Sequence, residues 1–126
     1  MKIIECVPNF SEGRNLTIIK KITDAIESIS SVTLLDVDPG ADTNRTVVTF
    51  VGEPDSVISA AFLGIKKAAE LIDMNLHNGE HARMGSTDVC PFIPISNISI
   101  EECIKYSEIL AKKVSDELGI PIYLYE

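Results

Sequence analysis

Both histidines of this chain fall within one five-residue stretch, His77-Asn-Gly-Glu80-His81. An imidazole titrates near neutral pH, and a carboxylate beside it orients the ring and favours its protonated form. Such a pair can take a proton from one reacting group and deliver it to another. Asp36, Asp38, Glu80 and Asp88 are the candidate carboxylates. Spacing alone does not choose between His77 and His81 as the base. The same five residues also match the H-x-x-E-H pattern of inverted zinc peptidases. That chemistry needs a helix carrying both rings on one face and a further ligand elsewhere. Gly79 and the lack of a flanking apolar period argue against a helix here, and two histidines in a surface loop are the plain alternative.

Other polar groups cluster in residues 9–14, 36–45 and 77–88, each stretch adjoining a predicted strand. Polar loops held at strand ends by a rigid sheet are where sites are commonly built. Asp36 and Asp38 alternate along one predicted strand, so both face the same side and Val37 faces the other. Solvent exposure, or pairing with Arg45, accounts for two such carboxylates as well as a site role does, because burying them unpaired is costly.

The elements that must position these groups follow from apolar spacing and from glycine and proline. Residues 1–8 read as a strand ended by Pro8, followed by a polar turn over 9–15. Leu16, Ile19, Ile22, Ile26 and Ile29 recur at helical spacing behind Asn15, an N-cap type, and predict a helix to about Ser30. Residues 32–38 form a strand broken by Pro39-Gly40, and 45–51, rich in β-branched residues, form another. Pro54 suits the first turn of a helix running over about 55–73. Residues 88–95 are extended, with Pro91 and Pro94 pointing to an edge or a gapped ladder. Ser99 caps a helix to about Leu118, ended by Gly119, and 122–125 read as a last strand. The order β-α-β-β-α-β-α-β predicts an α+β fold: a ferredoxin-like split β-α-β sheet with helices packed on one face.

A chain of 126 residues holds one such domain. Its net charge of −8 comes with no cluster of Lys and Arg, which excludes nucleic acid as a partner, yet a small anion can still be held by a few focused cations. No apolar run approaches a membrane span, and Glu5 interrupts the N-terminus too early for a signal peptide. The expected compartment is the cytoplasm. Three cysteines, Cys6, Cys90 and Cys103, are odd in number and widely spaced, as free thiols are.

Taken together, Glu5-Cys-Val-Pro-Asn-Phe-Ser-Glu-Gly-Arg14, Leu35-Asp-Val-Asp-Pro-Gly40, Thr43-Asn-Arg-Thr46, Thr49-Phe-Val-Gly52, Leu71-Ile-Asp-Met74, Gly79-Glu-His-Ala-Arg-Met-Gly85 and Asp88-Val-Cys-Pro-Phe-Ile-Pro94 resemble the glutamate formiminotransferase family along the whole chain. One departure is Ala82, where many relatives place proline. The resemblance implies transfer of a formimino group between N-formiminoglutamate and N5 of tetrahydrofolate, the co-substrate, in histidine breakdown. It implies His81 as the catalytic base and Asp38 as its partner carboxylate, with no metal. Arg45 and Arg83 are candidate clamps for substrate carboxylates, since guanidinium pairs bidentately with carboxylate. Asn9 is a candidate to orient a substrate amide, and Asp36 a further substrate-binding candidate. The family's transferase domain has two parts, and this chain matches the first, the formiminotransferase N-terminal subdomain. A homodimer, or a partner chain completing the cleft, is therefore expected. A formyl donor is a chemical variant, and a non-catalytic folate-binding or assembly module is the alternative from another class.

Overall fold

The computed structural model describes residues 1–72, 87–89 and 91–119. The elements in chain order are β1 (Ile3–Cys6), β2 (Asn9–Phe10), α1 (Leu16–Glu27), β3 (Thr33–Gly40), β4 (Arg45–Gly52), α2 (Pro54–Leu71), β5 (Thr87–Val89), β6 (Phe92–Ser96) and α3 (Ile100–Leu118).

Six strand segments occupy four lanes. β4 pairs with β3 on one side and with both β1 and β2 on the other. β6 then pairs with β1, and β5 with β2. Every pairing is antiparallel, so β1 and β3 run parallel with β4 inserted between them. That is the split β-α-β arrangement expected from the element order, and the α+β class with helices on one face holds. The first and last lanes are each interrupted, at Val7-Pro8 and beside Pro91. Pro8 has no N–H to give, but its carbonyl still accepts from the Val48 amide at 3.1 Å, so the lane resumes as β2. The turn expected over 9–15 therefore begins two residues later than its composition suggests. Pro39 and Gly40, expected to break a strand, are instead its last two residues. β3 lies at the margin of the described sheet, where a missing donor costs little.

Helix ends obey local chemistry. The Asn15 side chain accepts from the amides of Thr17 and Ile18. Ser99 and Glu102 form a reciprocal capping box at the start of α3, and Gly119, at φ 65°, closes it. α1 stops at Glu27, about a turn before the sequence period suggested. The strand expected over 122–125 lies outside the described residues.

Alternate residues of the strands point into a single core. Ile4, Cys6, Phe10, Val48 and Phe50 meet Ile22 and Ile26 of α1, Val57, Ala61, Ile65 and Ala68 of α2, and Cys103, Leu110 and Val114 of α3. Cys6 and Cys103 are buried thiols outside any disulfide, and burial raises the Cys103 thiol above its ordinary pKa.

One close approach ties the loop after β2 to the β3–β4 turn. A Cβ on Gly13 would stand within 2.6 Å of both the backbone N and O of Arg45, and nearer still to the Gly40 carbonyl oxygen. Backbone cannot yield there as a flexible side chain can. Gly13→Ala is therefore expected to destabilise the chain by about 3 kcal/mol or more, and a urea midpoint equal to wild type contradicts the contact. A second expectation concerns Lys2 and Glu102, which join the residue just before β1 to α3 by an ion pair. The hydrogen bond from Lys2 lowers the Glu102 pKa below its ordinary value of 4.5. A depressed carboxylate contributes stability above its unfolded pKa and loses it as pH falls through the folded one. The small stability difference between Lys2→Met and wild type should thus fade below about pH 4, which denaturant titration at several pH values measures.

Candidate functional site

The side of the sheet away from the helices carries four of the polar residues that the sequence singled out, Asn9, Asp36, Asp38 and Arg45. Register places them. Val47 of β4 is opposite Asp38 of β3 and also opposite Asn9 of β2. The three side chains share one row across the sheet, on the face opposite Val48 and Phe50. Asp36 is opposite Thr49, so it lies on the same face one row along. Arg45 is two residues before Val47 on β4, hence on that face about 7 Å away. Asp38 and Asn9, two strand spacings apart, are separated by about 10 Å across Val47.

The two aspartates are exposed and Val37 is half-buried against the core, as the alternation predicted. A β-bulge between Leu34 and Asp36 makes this possible. It leaves Leu35 56% exposed and shifts Asp36 and Asp38 onto the polar face. Without the extra residue, the following side chains would change faces.

Asn9 is half-buried, and its Oδ1 is buried with no hydrogen-bond partner among the described residues. A buried acceptor left unpaired costs about 1–3 kcal/mol, so it marks a place where a donor fits. Arg45 is exposed and brings a permanent positive charge to the corner that Asp38 and Asn9 define. A cation, a carboxylate and an amide carbonyl around one apolar side chain suit a small zwitterionic or amide-bearing molecule. His77, His81 and Arg83 lie outside the described residues, as do Glu80 and Cys90. Asp88 belongs to β5. Among the described residues no cluster of three or more His, Cys, Asp and Glu side chains could hold a metal ion.

Two residues that support this corner were not singled out from the sequence. Glu12 is 8% exposed, and its Oε2 accepts from the amides of Arg14 and Asn15, both at 3.1 Å. Its carbonyl accepts from the buried Thr46 hydroxyl. Asn44, at φ 54°, accepts through Oδ1 from the Gly13 amide at 2.9 Å. Glu12 and Asn44 lie inside the polar stretches 9–14 and 36–45, but their role depends on the two stretches meeting in space.

Residues 3–126 match the model of the formiminotransferase domain, N-terminal subdomain. The chain belongs to this family. It is 57% identical over 125 residues to a formimidoyltransferase-cyclodeaminase of Dictyostelium discoideum, covering 99% of this chain and 23% of that protein. It is 50% identical to a glutamate formimidoyltransferase of Thermoplasma acidophilum over 99% of this chain and 41% of that protein. With a glutamate formimidoyltransferase of Streptococcus pyogenes the identity is 52%, over 99% of this chain and 42% of the relative. The chain thus spans less than half the length of these relatives. No helix among the described residues is long and apolar enough to cross a membrane.

Because the Asn9 carbonyl is buried without a partner among the described residues, Asn9→Ala should leave stability unchanged or raise it by up to about 2 kcal/mol. The same change should weaken binding of any ligand seated in the row. Thermal unfolding and ligand titration run side by side test this. A clear loss of stability with unaltered binding assigns Asn9 to the fold instead.

Proposed function

We propose that this chain forms one wall of a site for formimino transfer between N-formiminoglutamate and N5 of tetrahydrofolate. The observation that carries this reading is the gathering of Asn9, Asp36, Asp38 and Arg45 on one face of the sheet in a member of the formiminotransferase family. Four residues drawn from three strands meet there.

The base in this reading is His81, with Asp38 as the carboxylate that orients it. Only five residues separate His81 from Thr87 in β5, so the ring can stand no more than about 20 Å of extended chain from that strand. Asp38 is three strand spacings from β5, about 14 Å. The connection therefore permits imidazole and carboxylate to meet over the sheet. In the forward direction N5 attacks the formimino carbon, forming a C–N bond. His81 accepts the proton that N5 sheds, and Asp38 stabilises the resulting imidazolium. The tetrahedral intermediate then expels glutamate nitrogen as the C–N bond to glutamate breaks, and the imidazolium returns its proton to that departing amine. One ring serves as base and then as acid, so no net proton is consumed. Arg45, with Arg83, balances the carboxylates of glutamate or of the folate tail. Asn9 supplies its carbonyl to an N–H of the substrate. A formyl donor passes through the same steps with oxygen in place of the imino nitrogen, and competition between the two donors decides which is used.

The opposite wall is supplied by further polypeptide, in a homodimer or in a partner chain that completes the cleft. Enclosing the site excludes water and holds the reactants at bonding distance, which is worth several kcal/mol of barrier. The compartment is the cytoplasm, where thiols such as Cys6 and Cys103 remain reduced.

The experiment is an assay for 5-formiminotetrahydrofolate, with this chain alone and with the polypeptide that completes it. His81→Ala should lower turnover by about 100- to 10,000-fold. Asp38→Asn should lower it strongly as well, while donor KM changes less. Turnover in neither preparation above the His81→Ala background removes the transferase reading. Folate binding without turnover favours the binding module.

A further inference from the structure

We infer that Asn44 is a positioning residue, whose side chain sets the placement of Asp38 and Arg45 relative to Asn9. The inference rests on the reading of this face as the substrate wall, and it adds to that reading the part that keeps the wall in register.

The need for such a part follows from the brevity of β2. Within the β2 segment of that lane only Asn9 and Phe10 pair with β4, and Val7-Pro8 separates them from the three pairs of β1. Two residue pairs are a weak guarantee of register against fraying. Beyond Phe10 the chain leaves the sheet, yet it does not swing free. The Gly13 amide donates to Asn44 Oδ1 at 2.9 Å, Arg14 Nε donates to the Ala41 carbonyl at 2.9 Å, and the Thr46 hydroxyl donates to the Glu12 carbonyl. The first two bonds join the loop after β2 to the turn between β3 and β4, and the third joins it to the start of β4.

Of the three, the Asn44 bond is the one made by a side chain of the turn itself, and it closes a circuit wider than that of Thr46. Backbone runs from Asn9 to Gly13, crosses through the Asn44 side chain, returns along β4 to Val47, and crosses the ladder to Asn9 again. On the other side of the turn, Gly40 is opposite Arg45 and Asp38 opposite Val47, so the hairpin carries Asp38 and Arg45 as one body. Moving that body relative to the loop changes the gap in which a substrate would sit.

The residue type is the one this geometry calls for. At φ 54° the backbone is left-handed, a conformation that Asn, Asp and Gly adopt most readily. The bond to Gly13 needs a short side-chain acceptor. Glycine meets the first demand and fails the second, whereas aspartate meets both. Asn44→Gly and Asn44→Asp therefore separate the tie from the turn.

The test is NMR on the labelled 126-residue chain in three forms: wild type, Asn44→Gly and Asn44→Asp. In Asn44→Gly the Gly13 amide should exchange about three- to tenfold faster, as loss of one hydrogen bond implies. The Asp38 carboxyl carbon and the Asn9 side-chain amide should shift, and the cross-strand contacts from Asn9 through Val47 to Asp38 should weaken. Amides of α2, such as those of Ala61 and Ile65, should keep wild-type protection, since the change is local. Asn44→Asp should return the Asp38 and Asn9 signals to their wild-type positions. The inference is overturned by Asp38 and Asn9 signals unmoved in Asn44→Gly. It is overturned equally by a uniform loss of protection in α2, or by an Asn44→Asp form that resembles Asn44→Gly. Tetrahydrofolate added to each form separates this inference from the reading beneath it. A wild-type response at Asp38 and Asn9, reduced in Asn44→Gly and regained in Asn44→Asp, supports both. An Asn44 series that behaves as described in a wild type deaf to tetrahydrofolate upholds the tie and removes the substrate wall.

Discussion

Val47 takes part in two ladders at once, and the polar face depends on that double pairing. Its residue pair with Asp38 on one side and with Asn9 on the other brings together groups that lie 29 positions apart in the chain. Antiparallel pairing makes this placement definite, because a slip by one residue turns every side chain of a strand to the opposite face. The buried set opposite, Val48 and Phe50 on β4 with Ile4, Cys6 and Phe10 beside them, resists such a slip. Moving those side chains to the other face would empty the core of its largest apolar groups. Hydrophobic burial thus holds the polar row in place even though none of its energy comes from polar contacts.

Irregularities in the sheet occur where this arrangement needs them. The bulge between Leu34 and Asp36 brings the aspartates to the polar face and leaves Leu35 outside the core. Val7-Pro8 interrupts the first lane, and Pro91 stands beside the corresponding gap in the last. Each proline removes a ladder donor. The short strand β2 that results depends on the loop after it for support in a way that β4 does not. The bonds from Gly13, Arg14 and Thr46 supply that support at one end of the polar row. A polar face assembled from short strands and clasped loops can be placed closely without adding bulk over it.

Much of this was legible in local chemistry. Asn15, Pro54, Ser99 and Gly119 each mark a helix end by what their side chain or backbone can do. The apolar period of residues 16–29 and the β-branched run after Arg45 identify their elements with little ambiguity. The alternation of Asp36, Val37 and Asp38 correctly separates the faces. What misled was the assumption that proline and glycine end a strand wherever they occur. Pro39 and Gly40 stay in β3 because that strand lies at the margin of the described sheet, where the missing N–H has no ladder partner to lose. Glu12 and Asn44 gave no separate signal, because a carboxylate or amide in a polar loop looks the same whether it faces water or holds two loops together.

The amino-acid sequence, then, determined the order of the elements, their caps, the membership of the family and which residue types are present that could move a proton or hold a carboxylate. These are properties of single residues and of near neighbours, set by side-chain chemistry and by periods of two or about 3.6 residues. Tertiary structure alone decided that Asp38 and Asn9 flank the same valine, that Arg45 shares their face, and that a buried amide carbonyl finds no donor among the described residues. Such facts depend on strand order and register, which arise from burying one common core, and no local stretch of the chain contains them.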